Sequence, residues 1–211
     1  MTTKQRTIPR PPAHLTVRVG VLIYDASIEV DSVMAEAVDR IQARDISVGG
    51  LLQCFGERLS NGKRSMWVED IASGALIRLD RPRGSGAMAC LLDPDALSQA
   101  ACMLQRAIDS RPDIIVVSRF GNAEADGRGM RAEFADAICS GAPVLIAVKF
   151  ALLNDLEAFL GAPAHVLLPS ADAIADWAEN VVARSEPIVA DAAGARRGAD
   201  VKSGVFRPFA G

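Results

Sequence analysis

Histidines and aromatic residues are scarce in this sequence, and both shortages narrow its chemistry. The only histidines are His14 and His165, and no C-x-x-C or H-x-x-x-H pair occurs, which argues against zinc bound through a standard motif. Aromatic residues make up 5% of the chain, and its 23 basic residues are scattered among 26 acidic ones. A nucleic-acid surface needs clustered positive charge with interleaved aromatic side chains. We therefore expect no nucleic-acid partner.

Long apolar segments are also missing. No run is long enough to span a membrane, and residues 1–12 contain three prolines and three basic residues instead of the apolar core of a signal peptide. The sequence therefore predicts a soluble, cytoplasmic protein without membrane insertion. Because half of its 211 residues are hydrophobic, the chain suffices for one well-filled core. We predict a flexible N-terminal arm over 1–16, a single domain over 17–184 and a tail over 185–211.

Cysteines are few, and their spacing indicates neither a disulfide framework nor a metal site. In a chain without secretory features, such cysteines usually act as small buried hydrophobic side chains. We expect this of Cys102 and Cys139, which lie within helical patterns. Cys54 and Cys90 border predicted loops, and their role stays open.

What the sequence does contain is a series of strands that alternate with helices. Residues 17–23, 113–117 and 143–148 are nearly continuous apolar runs of strand length, typical of parallel strands buried on both faces. A helix is predicted after the first run, with Asp31 or Ser32 as its N-cap. Another helix begins at Asp93-Pro94, where a capping carboxylate precedes a proline in the first helical position.

A second, short strand is predicted over 46–53, and a different period appears after it. Apolar and polar residues alternate over 65–71 and 75–80, on either side of the compact turn 72–74. This pattern predicts a β-hairpin inserted into an otherwise βα chain.

The loop after the first strand stands where a phosphate-binding loop is expected, but it lacks the required residues. Against the pattern G-x-x-x-x-G-K-[ST], Asp25 and Val30 replace the glycines, Asp31 replaces the lysine, and only Ser32 fits. Carboxylates there repel the phosphates that such a loop holds. The strand ending at 117 is followed by Ser118 and Arg119 instead of a carboxylate for Mg²⁺. Both losses argue against ordinary nucleotide hydrolysis.

Basic residues nevertheless follow the strands whose carboxyl ends should meet at one edge of the sheet. Arg119 and Lys149, with Arg83 in a glycine-containing loop, predict an anion or nucleotide pocket. The alternative is that Arg119 forms a structural salt bridge with Asp25 or Asp31. The glycine-bearing segment 120–129 either receives an oxyanion at a helix N-terminus or is a simple turn. The candidate ligand-binding residues are Asp25, Ser27, Ser32, Gln53, Arg83, Ser118, Arg119, Asn122, Glu124, Arg128 and Lys149; the sequence indicates no catalytic residue, no metal ligand and no particular cofactor.

The order of these motifs resembles a bacterial family of unknown function that is itself similar to the small, thermophile-type P-loop nucleoside-triphosphatases. The resemblance covers about 17–182, and its most specific segment is 120–131, where members of the family typically carry the pattern [KR]-F-G-x-x-E-x-x-G-R-G that here begins at Arg119. Some members are labelled as molybdenum-transport ATP-binding proteins. The resemblance implies an α/β fold, a three-layer P-loop NTPase-like, mostly parallel sheet with helices on both faces and an inserted β-hairpin. The activity is not implied, because the positions that perform it hold Asp31, Ser118 and Arg119.

Three functions remain open at this point. The first is a non-hydrolytic pseudo-NTPase accessory or sensor protein that binds an anionic ligand, either a nucleotide or an oxyanion such as molybdate. The second is an active nucleoside-triphosphatase or phosphotransferase in which Lys149 replaces the missing lysine and Asp25 or Glu29 holds the metal. The third is an assembly module that forms a homodimer through Trp67 and the tail.

Overall fold

The computed structural model describes residues 18–59, 62, 64–81 and 91–184, and these form an α/β structure. The predicted N-terminal arm, the tail, Cys90 and the candidate ligand residue Arg83 lie outside the described residues. The strands are β1 Val19–Tyr24, β2 Val48–Arg58, β3 Arg64–Asp70, β4 Leu76–Arg78, β5 Asp80–Arg81, β6 Leu91–Leu92, β7 Ile114–Phe120, β8 Val144–Lys149 and β9 His165–Leu167. The helices are α1 Val30–Gln42, α2 Pro94–Asp109, α3 Asn122–Ala125, α4 Arg131–Cys139, α5 Leu153–Leu160 and α6 Ala171–Ala183, and a 3₁₀ turn, Phe150–Leu152, precedes α5.

Seven strands form one sheet in the order β4-β3-β2-β7-β8-β1-β9. The five strands β2, β7, β8, β1 and β9 pair in parallel, because crossover connections bring each of them into the sheet in the same direction. At the other edge, β3 and β4 add an antiparallel hairpin. The predicted mostly parallel sheet with an inserted hairpin is therefore confirmed. β5 and β6 pair separately as a short ribbon.

The second strand is longer than the sequence indicates. A short strand is predicted over 46–53, whereas β2 continues to Arg58. Its first half pairs in parallel with β7, and its second half pairs with the antiparallel strand β3. This second half is less buried than the first, and polar and apolar residues mix in it. It therefore lacks the apolar run by which the other strands are recognised.

Helices cover both faces of the sheet and enclose two apolar cores. On one face α1 and α6 bury Met34, Ile41 and Ile174 against the sheet. On the other face α2, α4 and α5 bury Leu104, Phe134 and Leu156, which completes the three layers. Each large side chain buried in this way contributes about 1.5–3 kcal/mol relative to an exposed one. None of the helices in the described part of the chain has the length and apolarity to cross a membrane.

Two local predictions are wrong. Helix α1 begins at Val30 with Glu29 as its N-cap and without a side-chain capping bond, so neither Asp31 nor Ser32 caps it. Cys102 and Cys139 are exposed, because each lies on the solvent side of its helix. Asp93, by contrast, caps α2 as predicted, accepting a hydrogen bond from the backbone N–H of Asp95 at 2.9 Å.

The connections place a crevice at the carboxyl ends of β1 and β8. From β1 the chain passes through α1 to β2, which lies on the β8 side of β1 in the sheet. From β8 it passes through α5 to β9, which lies on the other side of β1. In open parallel sheets, ligands bind at such a point, where neighbouring strands send the chain in opposite directions.

Candidate functional site

A cavity of about 360 Å³ opens at these strand ends. Its volume lies within the range of small-molecule sites. Its lining comes from the ends of β1, β7 and β8, from the second half of β2, from the segment after β7, from the hairpin and ribbon, and from the start of α2. The lining residues are Tyr24, Gln53, Phe55, Met66, Val68, Leu79, Asp80, Leu92, Leu97, Ser118, Arg119, Phe120, Gly121, Asn122, Ala123, Glu124, Met130, Lys149 and Leu152.

The structure brings together six of the predicted ligand residues and separates the others. The six that line the cavity are Gln53, Ser118, Arg119, Asn122, Glu124 and Lys149. Of the remaining residues that the structure describes, Asp25, Ser27, Ser32 and Arg128 do not belong to the lining. Arg128 is exposed and pairs with its neighbour Asp126 at 2.9 Å.

Arg119 lies at an irregularity in β7, where the pairing register with β8 shifts between Val117 and Phe120. Its φ of 88° is in the left-handed region that non-glycine residues seldom adopt. Such a conformation persists only where the surroundings impose it. For Arg119, the contacts of its side chain hold the backbone in this conformation.

The guanidinium of Arg119 is held by one carboxylate and two aromatic rings. Its Nε and Nη2 donate to Oδ1 of Asp31, the Nε bond being 3.1 Å long. Nη1 donates to the Tyr24 hydroxyl at 3.3 Å, and the guanidinium lies 5.0 Å from the Tyr24 ring centroid and 5.3 Å from that of Phe55. Burial raises the pKa of the Tyr24 hydroxyl, and the charge of Arg119 opposes this rise. The structural salt bridge between Arg119 and Asp31 is therefore the alternative that the structure bears out.

The loop after β1 is closed by its own side chains. The carboxylate of Asp25 accepts the backbone N–H of Ser27 at 2.8 Å and the Ser27 hydroxyl at 2.5 Å. These hydrogen bonds lower the pKa of Asp25, whose side chain is exposed. A phosphate-binding loop directs its backbone N–H groups at an anion. Here one of them binds a carboxylate of the same loop.

The segment after β7 folds around the buried side chain of Glu124. Its Oε2 accepts the backbone N–H of Gly121 and its Oε1 that of Met130, both at 3.0 Å. Gly129 has a φ of 66°, and a Cβ there would lie 2.1 Å from Oε1 of Glu124. Both carboxylate oxygens of Glu124 therefore accept hydrogen bonds from the backbone. The glutamate and the last glycine of the R-F-G-x-x-E-x-x-G-R-G pattern thus have a structural role.

Aromatic side chains pack against the segment that follows β7. Phe120 contacts Phe134 and Phe159, with ring centroids 6.1 and 5.6 Å apart. Arg131 lies 4.4 Å from the Phe159 ring centroid and donates to the backbone carbonyl of Glu124 at 2.7 Å. The packed side chains of Phe120, Arg131 and Phe159 therefore support the wall of the cavity that α3 forms.

Lys149 is exposed at the end of β8, in register with Tyr24 of β1. Within the part of the chain that the structure describes, it makes no ion pair. The hydroxyl of Ser118 lies on the same side of the cavity, where its Oγ accepts the backbone N–H of Gln53 at 2.8 Å. Together with the exposed side chain of Asn122, these groups offer donors to an anion.

Sequence reasoning missed the apolar wall opposite these donors. Met66 and Val68 of β3, Leu79, and Leu92 and Leu97 near the start of α2 line it. The alternation in the hairpin indicated one buried face, but it did not indicate that part of this face borders a cavity.

Asp80 is a further residue that the sequence did not single out, and it stabilises this wall. It is 4% exposed, and its carboxylate accepts the backbone N–H of Met66 at 2.8 Å and two bonds from Arg78 at 3.2 Å. Burial alone would raise the pKa of Asp80, but these hydrogen bonds and the charge of Arg78 hold it below its usual range.

The structure also bears on metal binding and on Cys54, whose role the sequence leaves open. Among the described residues, no group of three or more His, Cys, Asp or Glu side chains could hold a metal ion. Cys54 is half-buried outside the cavity lining, and burial raises the pKa of its thiol.

The fold is shared with a solved nucleoside triphosphatase. The solution structure of a human cancer-related nucleoside triphosphatase matches with a TM-score of 0.54, covering 80% of this chain and 97% of that one, at 14% sequence identity. The likeness is one of fold alone, and the predicted P-loop NTPase-like architecture is confirmed.

A sequence relative is larger than this chain. The protein named Molybdenum import ATP-binding protein ModC 2, from Bradyrhizobium diazoefficiens (strain JCM 10833 / BCRC 13528 / IAM 13628 / NBRC 14792 / USDA 110), is 35% identical over 161 residues. The match covers 76% of this chain but 18% of the relative, so the chain corresponds to a small part of that protein.

The family resemblance inferred from the motifs is confirmed by a direct match. The match spans residues 19–177, from the first residue of β1 into α6, and includes every element that lines the cavity. The chain belongs to the family described as "Protein of unknown function (DUF2478)".

Proposed function

We propose that this chain is a non-hydrolytic, NTPase-like accessory or sensor protein that binds a small anionic ligand in the cavity at the strand ends. The observation that carries the proposal is the ion pair between Arg119 and Asp31. In P-loop enzymes a lysine at the position of Asp31 binds phosphate, and a carboxylate near the position of Arg119 serves Mg²⁺. Here an acid and a base occupy these positions with reversed charges and bind each other.

The cavity supports ligand binding without hydrolysis. It combines apolar walls with a few donors at one end, which is the usual composition of a small-molecule site. Lys149, Ser118 and Asn122 are the donors nearest to the strand ends that the ion pair leaves available. A ligand held there requires no Mg²⁺ carboxylate.

The proposed connection with molybdenum rests on the name of the relative. A region similar to this chain forms part of a protein named as a molybdenum import ATP-binding protein. We infer that this chain reports the state of its ligand to a transport or assembly partner of that kind. Molybdate and tungstate therefore belong in the ligand panel beside nucleotides.

The alternative is an active enzyme in which Lys149 contacts phosphate and Asp25 or Glu29 holds the metal. The location of Lys149 in the cavity favours it, whereas the hydrogen bonds of Asp25 to Ser27 do not. Phosphate release from Mg-ATP and Mg-GTP separates the two functions. We expect no release above that of Lys149→Ala, and turnover that depends on Lys149 would establish the enzyme instead.

Binding is tested by thermal unfolding with Mg-ATP, Mg-GTP, molybdate, tungstate, phosphate and organic anions. A ligand at about 100 times its dissociation constant stabilises the native state by about 2.7 kcal/mol. We expect at least one anion to raise the unfolding temperature of the wild type, and Lys149→Ala to reduce the rise. If no anion shifts the transition, the proposal falls and the homodimer becomes the leading function, which light scattering tests.

A further inference from the structure

We propose that the ligand of this cavity is an amphiphilic organic anion, with an apolar body and one or two negative charges at one end. The inference rests on the proposed function, because it names the class of anion that the cavity accepts. It follows from the distribution of apolar side chains, the length of the cavity and the supply of positive charge.

A cluster of five apolar side chains lies at the hairpin end of the cavity, and Phe120, Met130 and Leu152 line it near β7 and β8. The hairpin, the ribbon and the start of α2 contribute Met66, Val68, Leu79, Leu92 and Leu97. A ligand that leaves this end filled only with water gains nothing from these side chains, whereas an apolar group gains about 25 cal/mol for each Å² removed from water. The lining therefore favours a hydrocarbon or aromatic body.

The donors lie on the β7 and β8 side of the cavity. Ser118 and Asn122 flank the end of β7, and Lys149 ends β8. In the sheet order, β3 and β8 are separated by β2 and β7. With strands about 4.8 Å apart, the strands that carry the lining residues Val68 and Lys149 lie roughly 14 Å apart. An elongated molecule spans this length, whereas a tetrahedral oxyanion such as molybdate reaches only the donors.

Positive charge is limited at the donor end. Asp31 offsets the charge of Arg119, so that Lys149 supplies the remaining cation among the described residues that line the cavity. A nucleoside triphosphate carries several negative charges, and each charge that is removed from water without a partner is costly. A sulfonate, carboxylate or phosphate monoester needs only Lys149 and its neighbouring donors.

The probe that tests this inference is anilinonaphthalene sulfonate, an aromatic anion with a single charge whose fluorescence rises in apolar surroundings. We expect one saturable site in the folded protein. Lys149→Ala removes the positive charge and should weaken binding of the probe about tenfold, as expected for a charge-assisted contact. Lys149→Arg keeps the charge and should retain binding. Arg106→Ala is the control for charge, because Arg106 is exposed near the far end of α2.

A second pair of variants tests the apolar wall. Leu97→Gln places an amide in the cavity and should weaken the probe about tenfold, as expected for losing a buried aliphatic side chain. Met103→Gln is the matched control, because Met103 is also half-buried on α2 but does not line the cavity. If Leu97→Gln and Met103→Gln bind the probe equally, the inference is wrong.

Competition separates this inference from the proposed function. We expect decanoate to displace the probe, and Mg-ATP and molybdate to leave it bound. If Mg-ATP displaces the probe and raises the unfolding temperature more than decanoate does, the cavity is a nucleotide site: the proposed function stands and the inference is overturned. If the probe finds no saturable site and no anion shifts the unfolding transition, both are overturned.

Discussion

Arg119 at the end of β7 binds Asp31 in the first turn of α1, a residue 88 positions away in sequence. The pair joins the two segments at whose positions a P-loop enzyme holds its nucleotide and its metal. It is half-buried, with side-chain exposures of 16% and 25%. The charged groups at these two positions therefore bind each other.

The first prediction concerns the stability that Arg119 contributes. Arg119→Ala leaves the carboxylate of Asp31 half-buried without its partner and should lower the free energy of unfolding by about 2 kcal/mol. Arg119→Gly removes the same contacts but adopts the φ of 88° without strain, so it should be about 1 kcal/mol more stable than the alanine variant. Urea denaturation measures both values. An alanine variant as stable as the glycine variant would show that the backbone is not strained there.

The second prediction compares two glycines of the loop after β7. Gly129→Ala meets both a φ of 66° and the carboxylate of Glu124, and should cost about 3 kcal/mol of unfolding free energy. Gly127→Ala is the matched control: its φ is 80°, but its Cβ has no neighbour within 4 Å, so it should cost about 1 kcal/mol. Equal losses in urea denaturation would contradict the structural role assigned to Glu124.

The third prediction follows from the lowered pKa of Asp80. A carboxyl group whose pKa is lower in the folded than in the unfolded state contributes stability that is complete above its unfolded pKa of about 3.9. This contribution is lost as the pH falls through the folded pKa. Asp80→Asn should therefore be less stable than the wild type at neutral pH, and the difference should narrow below about pH 4.

The measurement is the free energy of unfolding of both proteins in urea at a series of pH values. Asp113→Asn serves as the control, because its carboxylate is exposed and binds Ser47 outside the cavity. A difference between wild type and Asp80→Asn that does not change with pH would refute the role of the Asp80 carboxylate.

Much of the fold follows from local patterns. Continuous apolar runs identified β1, β7 and β8, because strands buried on both faces have no polar side to interrupt them. Asp93 and Pro94 marked the start of α2, since the capping bond and the fixed φ of proline are local. The alternation of apolar and polar residues over 65–71 identified the hairpin, since it too is a local pattern.

The site was less predictable, because its geometry depends on distant partners. Asp31 has the side chain of an N-cap, but its carboxylate binds Arg119 instead, and no local signal distinguishes these two uses. The irregularity of β7 at Arg119 was equally hidden, since arginine rarely has a positive φ. Six of the predicted ligand residues line one cavity because they lie near the carboxyl ends of the parallel-paired parts of β2, β7 and β8. The apolar wall depends instead on where the hairpin folds.

The most direct test of ligand binding at the strand ends is a titration with anilinonaphthalene sulfonate followed by ¹H–¹⁵N correlation spectra. We predict that the largest changes fall on the backbone amides of Ser118, Asn122 and Lys149. The amides of Arg111 and Ser140, which line a separate cavity of about 540 Å³, should not change. Changes centred on Arg111 and Ser140, or spread over the whole chain, would contradict the proposed site.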